Sequence, residues 1–154
     1  MADSTSTQRI VLGADHAGFR LKESIKKYLQ SQGHAVDDVG TASEDSVDYP
    51  DFAEGAARRV ADGQDDLGII VCGTGIGMSI AANKVAGIRA ALVCDPATAA
   101  LAREHNNANI LALAGRFLND AQAMQIVQTF MNTKFAGGRH ERRLEKIDRL
   151  DQKR

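Results

Sequence analysis

From Arg9 onward, short apolar runs alternate with stretches in which apolar residues recur every three or four positions. Arg9 to Gly13 reads as a first strand. An amphipathic helix follows from about Phe19 to Gln30, with Leu21, Ile25, Tyr28 and Leu29 on its apolar side and Gly33 closing it. Ala35 to Val39 makes a short second strand, and Tyr49-Pro50-Asp51 opens a second helix, which ends near Gly63, with Pro50 suited to an early helical position. Leu67 to Val71 is a third strand with its helix from Gly75 to Val85. Ile88 to Val93 is a fourth, with a helix from Pro96. Asn109 to Ala114 is a fifth, with a helix from Ala121 to Met131. A last helix, His140 to Asp151, carries Leu144, Ile147 and Leu150 at helical spacing. Strands that are apolar throughout and alternate with helices indicate a parallel sheet covered on both faces. The expected class is α/β: a three-layer Rossmann-like fold with a five-stranded parallel sheet, in which ligands bind beyond the carboxyl ends of the strands. Asp15 and His16 follow strand one, Thr41 to Tyr49 strand two, Cys72 to Gly77 strand three and Arg116 strand five, while His105 and Asn106 precede strand five. Most of this chemistry is expected on one sheet edge.

Composition narrows the picture. The 154 residues suit one domain, with residues 1–8 as a polar, loose tail and 9–154 as the folded unit. No stretch approaches the ~18 apolar residues of a membrane span, and residues 1–8 lack the apolar centre of a signal peptide. Two cysteines, Cys72 and Cys94, are too few for a disulfide framework, so a cytoplasmic setting is expected. Residues 139–154 hold seven Lys/Arg against four Asp/Glu, and the rest of the chain twelve against sixteen. So short a basic cluster, with few aromatics to stack bases, argues against nucleic acid and for a small anionic ligand.

The segment Cys72-Gly-Thr-Gly-Ile-Gly77 joins the third strand directly to its helix. Closely spaced glycines let backbone N–H groups converge, so such a turn can hold an anion or a developing oxyanion and favour a thiolate at Cys72. The bland reading is a buried cysteine before a tight turn. The segment is neither a Walker A loop nor the GxGxxG fingerprint, and Met78 stands where a cysteine phosphatase needs Arg. Cys94 lacks such a turn and reads as structural. His16, His34, His105 and His140 show no metal-binding spacing, so no metal is expected. His34 reads as a surface residue, His16 as better placed for a ligand, and His105 as either a helix end or an acid/base group. Arg139, Arg142 and Arg143 are either a solvated helix face or, after Gly137-Gly138, a phosphate clamp. Together these parts suggest proton abstraction next to a carbonyl on a phosphorylated small molecule. Cys72 would be the base, the glycine turn the enediolate site, and His105 a second acid/base group.

At these residues the chain resembles the ribose-5-phosphate isomerase B family, which also contains allose- and galactose-6-phosphate isomerases. The matching pieces are Gly13-Ala-Asp-His-Ala-Gly18, Asp48-Tyr-Pro50, Cys72-Gly-Thr-Gly-Ile-Gly77 through Ala81-Ala-Asn-Lys84, His105-Asn-Asn-Ala-Asn109, Gly115-Arg116 and Gly137-Gly-Arg-His140 with Arg143. The resemblance implies an aldose–ketose isomerase of ribose 5-phosphate and ribulose 5-phosphate, working through a cis-enediolate without metal or organic cofactor. It implies Cys72 as base, Thr74 assisting the thiol, and Gly73, Gly75, Ile76 and Gly77 as the anion hole. His105 would open the furanose ring, with Asp15 on the sugar side, Tyr49 lining the sugar pocket and Asn106 near the enediolate. His16, Arg116, Arg139 and Arg143 would hold phosphate. It further implies a homodimer or homotetramer with sites shared between chains and the C-terminal helix engaged in dimerisation. Asn107 stands where an Asp often follows the His-Asn pair, and Ala14 at a variable position. Some relatives replace the cysteine by serine and use a nearby glutamate, but Met78 to Ala81 offers no carboxylate. The other readings are an isomerase of a four- or six-carbon sugar phosphate (erythrose 4-phosphate, or allose or galactose 6-phosphate) and, in another class, a non-catalytic sugar-phosphate-binding module.

Overall fold

The computed structural model describes residues 6–153. Five strands, β1 (Arg9–Ala14), β2 (Ala35–Asp38), β3 (Leu67–Cys72), β4 (Ala90–Leu92) and β5 (Ile110–Ala114), form one sheet of order β2-β1-β3-β5-β4, with all pairs parallel. The helices are α1 (Phe19–Ser31), α2 (Tyr49–Ala61), α3 (Ile76–Ala82), α4 (Pro96–Asn106), α5 (Asp120–Asn132) and α6 (Arg139–Leu150), followed by a 3₁₀ turn at Asp151–Lys153.

Side chains alternate across the sheet. Ile10, Leu12, Ile69, Val71, Leu111 and Leu113 pack against α1, α4 and α5 through Leu21, Ile25, Leu29, Ala99, Ile126 and Phe130. Val11, Ile70, Cys72, Ile110 and Ala112 pack on the other face against Ala53, Ala56, Ala57, Met78 and Ala82 of α2 and α3. The small residues of α2 and α3 let those helices lie close to the sheet. The expected three layers are therefore observed. Among the described residues no helix is long and apolar enough to cross a membrane.

Some boundaries move. The third helix stops at Ala82 and the fourth strand shrinks to Ala90–Leu92. The cause is Asn83, whose side-chain amide donates to the Ala90 carbonyl at 3.0 Å and accepts from its N–H at 2.8 Å. That carboxamide takes the place of a neighbouring strand on the sheet edge. Residues 1–5 lie outside the described residues. Gln8 is already tied to β2, its N–H donating to His34 Nδ1 at 3.2 Å and its carbonyl accepting from Ala35 at 3.0 Å.

α1 begins immediately beside the end of β3. A Cβ on Gly18 would lie 2.2 Å from the Val71 carbonyl oxygen, so this position admits no side chain. Close approach here brings the Asp15–Gly18 turn next to Cys72.

Candidate active site

The carboxyl ends of β1, β3 and β5, with the start of α2 and α3, enclose an open cleft lined by Asp15, His16, Tyr49, Cys72, Gly73, Thr74, Ile76, Gly77, Ile80 and Arg116. Cys72 ends β3 and is 5% exposed. Gly75, in the left-handed region at φ 75°, turns its N–H back onto Cys72 Sγ at 3.2 Å. Ile76 N–H is used locally, donating to Thr74 Oγ1 at 3.2 Å. Two turn donors are thus committed to Cys72 and Thr74, and the remaining turn donors are the N–H groups of Gly73, Thr74 and Gly77. Thr74 is exposed on the cleft rim, and its hydroxyl oxygen faces Ile76 N–H.

The ends of β3 and β5 are stitched together beyond the sheet. Gly115 N–H donates to the Cys72 carbonyl at 2.8 Å and Arg116 N–H to that of Gly73 at 3.1 Å. The Arg116 guanidinium therefore lies over Gly73, where a Cβ would come within 3.1 Å of it. Tyr49, the first residue of α2, lays its ring over Gly77; a Cβ there would be 2.5 Å from Tyr49 Cζ. Asp15 is buried, and one carboxylate oxygen accepts from Gly18 N–H at 3.0 Å. His16 Nδ1 accepts from Val47 N–H at 3.2 Å. The neutral ring consequently carries its proton on Nε2, which is then a donor suited to an anion.

The segment that supplies Val47 and Tyr49 is anchored from below. Lys22, 2% exposed, sends its ammonium to Asp38 Oδ2 at 2.6 Å and to the Thr41 carbonyl at 2.8 Å. Thr41 N–H donates to Ala14 at 2.7 Å, and Arg20 pairs with Glu44 at 2.6 Å. Lys22 is a site-supporting residue that sequence reasoning missed. Its only signal was a lysine beside Leu21 on the apolar side of a helix.

Not all of the expected residues join this cleft. α4 runs antiparallel to the strands, as a crossover between two parallel strands requires, so His105 and Asn106 emerge at the amino edge of the sheet. Arg139 and Arg143, both exposed on α6, lie at that same edge beside them. The six residues of β3 put about 20 Å between the two edges. The expectation that His105 and Asn106 share an edge with Cys72 is corrected for a single chain. A segment that precedes a parallel strand sits at its amino end. His105 instead stacks on His140, with ring centroids 4.3 Å apart and planes 15° from parallel. His140 is held below the ordinary histidine range by burial first, then by charge on His105, Arg139 and Arg143, with Glu104 opposing. Cys94 is exposed just beyond β4, away from the cleft lining. Among the described residues no group of three or more His, Cys, Asp or Glu is placed to hold a metal ion.

Comparison with known proteins gives this geometry relatives. The family model described as Ribose/Galactose Isomerase matches residues 10–147. The chain is 44% identical over 147 residues to ribose-5-phosphate isomerase B of Escherichia coli (strain K12), covering 96% of this chain and 99% of that protein. Its structure is similar to that of a ribose 5-phosphate isomerase from Thermotoga maritima, with a TM-score of 0.91 and 54% identity over 92% of this chain and 98% of the other. It is also similar to the Mycoplasma genitalium ribose-5-phosphate isomerase B solved with bound ribulose-5-phosphate, with a TM-score of 0.90 and 44% identity over 95% of this chain and 97% of that one. A match that runs from β1 into α6 and spans nearly the whole of each relative makes the chain a member of the ribose/galactose isomerase family.

Proposed function

We propose that the protein interconverts D-ribose 5-phosphate and D-ribulose 5-phosphate, with Cys72 as the general base. The observation that carries this reading is the buried Cys72 sulfur receiving Gly75 N–H at 3.2 Å, inside a cleft that also presents Asp15, His16, Tyr49 and Arg116. The names of the relatives supply the substrate. In the open-chain aldose the Cys72 thiolate takes the proton from C2. The C–H electron pair becomes the C1=C2 bond, and negative charge moves to O1, where the turn's N–H groups stabilise it. Return of the proton to C1, with the O2 proton passing to O1, gives the ketose. No electrons leave the substrate, so the step balances without a cofactor. His16 Nε2–H and Arg116 supply positive or donor character for the phosphate. A free thiol base suits a reducing, cytoplasmic setting.

The cleft of one chain lacks His105, Asn106, Arg139 and Arg143, which stand at the other sheet edge. A second copy completes it: its α4 end and α6 start bring ring-opening His105, Asn106 and two phosphate-binding arginines to this cleft. Exposed Ile76, Ile80 and Leu92 near the cleft, and Ile147 and Leu150 on α6, offer apolar surface for that association. The experiment is a substrate panel run on parent and Cys72→Ala. The expected result is turnover of ribose 5-phosphate by the parent and a loss of about 10³-fold or more in kcat for the variant. Faster turnover of a four- or six-carbon sugar phosphate replaces the proposed substrate. Binding without turnover by the parent indicates a non-catalytic module, and unimpaired Cys72→Ala overturns the base.

A further inference from the structure

The stacked pair His105–His140 has a geometry that the isomerase reading does not use. Ring centroids 4.3 Å apart at an interplanar angle of 15° form a face-to-face contact, and His140 is the buried partner at 8% exposure. The backbone holds it there independently of any substrate. Gly137 and Gly138 take φ of 66° and 58°, His140 N–H donates to the Gly137 carbonyl at 3.2 Å, and Ala136 N–H ties the loop to the Glu104 carbonyl of α4 at 3.0 Å. The charged and titratable groups around His140 are Arg139 and Arg143 of α6 and Glu104 and His105 of α4.

An acid/base imidazole that opens a sugar ring must present one nitrogen in a fixed direction and hold one proton to exchange. Among the described residues His105, partly exposed at a helix end, has no hydrogen bond that fixes its plane. We propose that His140 is a positioning residue for His105: its stacked ring fixes the His105 plane. Two imidazolium rings face to face at this separation repel each other. Arg139 and Arg143 add to the cost of charging His140, and its burial acts the same way. Both histidines belong to one chain, so the pair enters a partner's cleft as one unit. The proposal rests on the reading of His105 as the ring-opening group.

The test uses the full-length enzyme with two substrates. Ribose 5-phosphate closes to a furanose, whereas erythrose 4-phosphate carries its phosphate on O4 and cannot close a five-membered ring. Loss of His140 is expected to lower kcat on ribose 5-phosphate by about ten- to hundred-fold in His140→Ala, with a change of under about three-fold on erythrose 4-phosphate. His140→Phe, which keeps a flat ring, is expected to hold kcat on ribose 5-phosphate within about three-fold of the parent. Equal losses on both substrates, or a His140→Phe variant as slow as His140→Ala, each overturn the proposal. His105→Ala is the control for the underlying reading. Undiminished turnover of ribose 5-phosphate by that variant removes His105 as ring opener, whatever the His140 variants do.

Discussion

Lys22→Met tests whether the floor beneath the active-site segment is held by one buried ammonium. The substitution keeps an unbranched stem of similar length at a position 2% exposed and deletes the charge. Three polar contacts go: Asp38 Oδ2 at 2.6 Å, the Thr41 carbonyl at 2.8 Å and Glu23 Oε1 at 3.0 Å. Hydrogen bonds to charged groups contribute about 1.5–3 kcal/mol each, and a buried carbonyl left without a donor costs about 1–3 kcal/mol. Asp38 is not stranded, because Lys26 Nζ at 2.7 Å and Gly40 N–H at 3.0 Å remain. The methionine also escapes the desolvation cost of an ammonium. The balance is a loss of about 2–3 kcal/mol, or about 5–10 °C in Tm for a chain of this size. Urea and thermal unfolding at fixed protein concentration measure it, fixed because association shifts apparent stability. The acid limb supplies a second readout. Burial alone would raise Asp38, but the hydrogen bonds from Lys22, Lys26 and Gly40 outweigh it and hold Asp38 below the ordinary carboxylate range. Its contribution is complete above the unfolded value and is lost as pH falls through the lower folded one. Without Lys22 the folded value moves back up, so acid unfolding begins at higher pH. A stability loss below about 0.5 kcal/mol with an unmoved acid limb would refute the buried-anchor account.

Gly18→Ala places a methyl 2.2 Å from the Val71 carbonyl oxygen, a backbone atom that cannot swing aside. A loss of about 3 kcal/mol or more is expected by denaturant titration, and near-parental stability would contradict the close approach. Gly77→Ala meets the half-exposed Tyr49 ring at 2.5 Å, which can rotate outward. Stability is expected to fall by only about 1 kcal/mol while KM rises several-fold, and an unchanged KM would show that the Tyr49 ring does not shape the cleft. Asp65 is buried, with Oδ1 lacking a hydrogen-bond partner among the described residues and Oδ2 accepting from Arg59 at 2.7 Å. Burial first, and the neighbouring Asp37 carboxyl, hold it above the ordinary range against the pull of Arg59. A raised carboxyl weakens the fold as pH climbs through the unfolded and then the folded value. Asp65→Asn removes that weakening, so its stability relative to the parent is expected to improve from pH 4 to pH 7. The opposite trend in urea unfolding would count against the assignment.

The layers were legible because period and length agree. Ile69, Ile70 and Val71 are apolar in a row, as a doubly covered strand demands, and Leu21, Ile25 and Leu29 repeat as one helix face. The boundary at α3 was not legible, since it depends on Asn83 reaching Ala90 across a turn. Glycine spacing exposed the Cys72 turn, because few other residues fold a strand into a helix over so few positions. Lys22 stayed hidden because its partners, Asp38 and Thr41, lie sixteen and nineteen residues away. The misplaced edge of His105 has a topological cause. In a parallel sheet, chain order alternates between the two edges, so residues before and after a strand never meet within one copy.

That separation has a genetic consequence. Cys72 and His105 of one chain stand at opposite edges of the sheet, so under the proposed pairing they serve different reaction centres. Two inactive variants, Cys72→Ala and His105→Ala, then rescue one another when mixed. A mixed dimer concentrates both lesions in one centre and leaves the other with every group intact. Random reassortment of equal amounts makes half of the dimers mixed and restores about a quarter of parental activity.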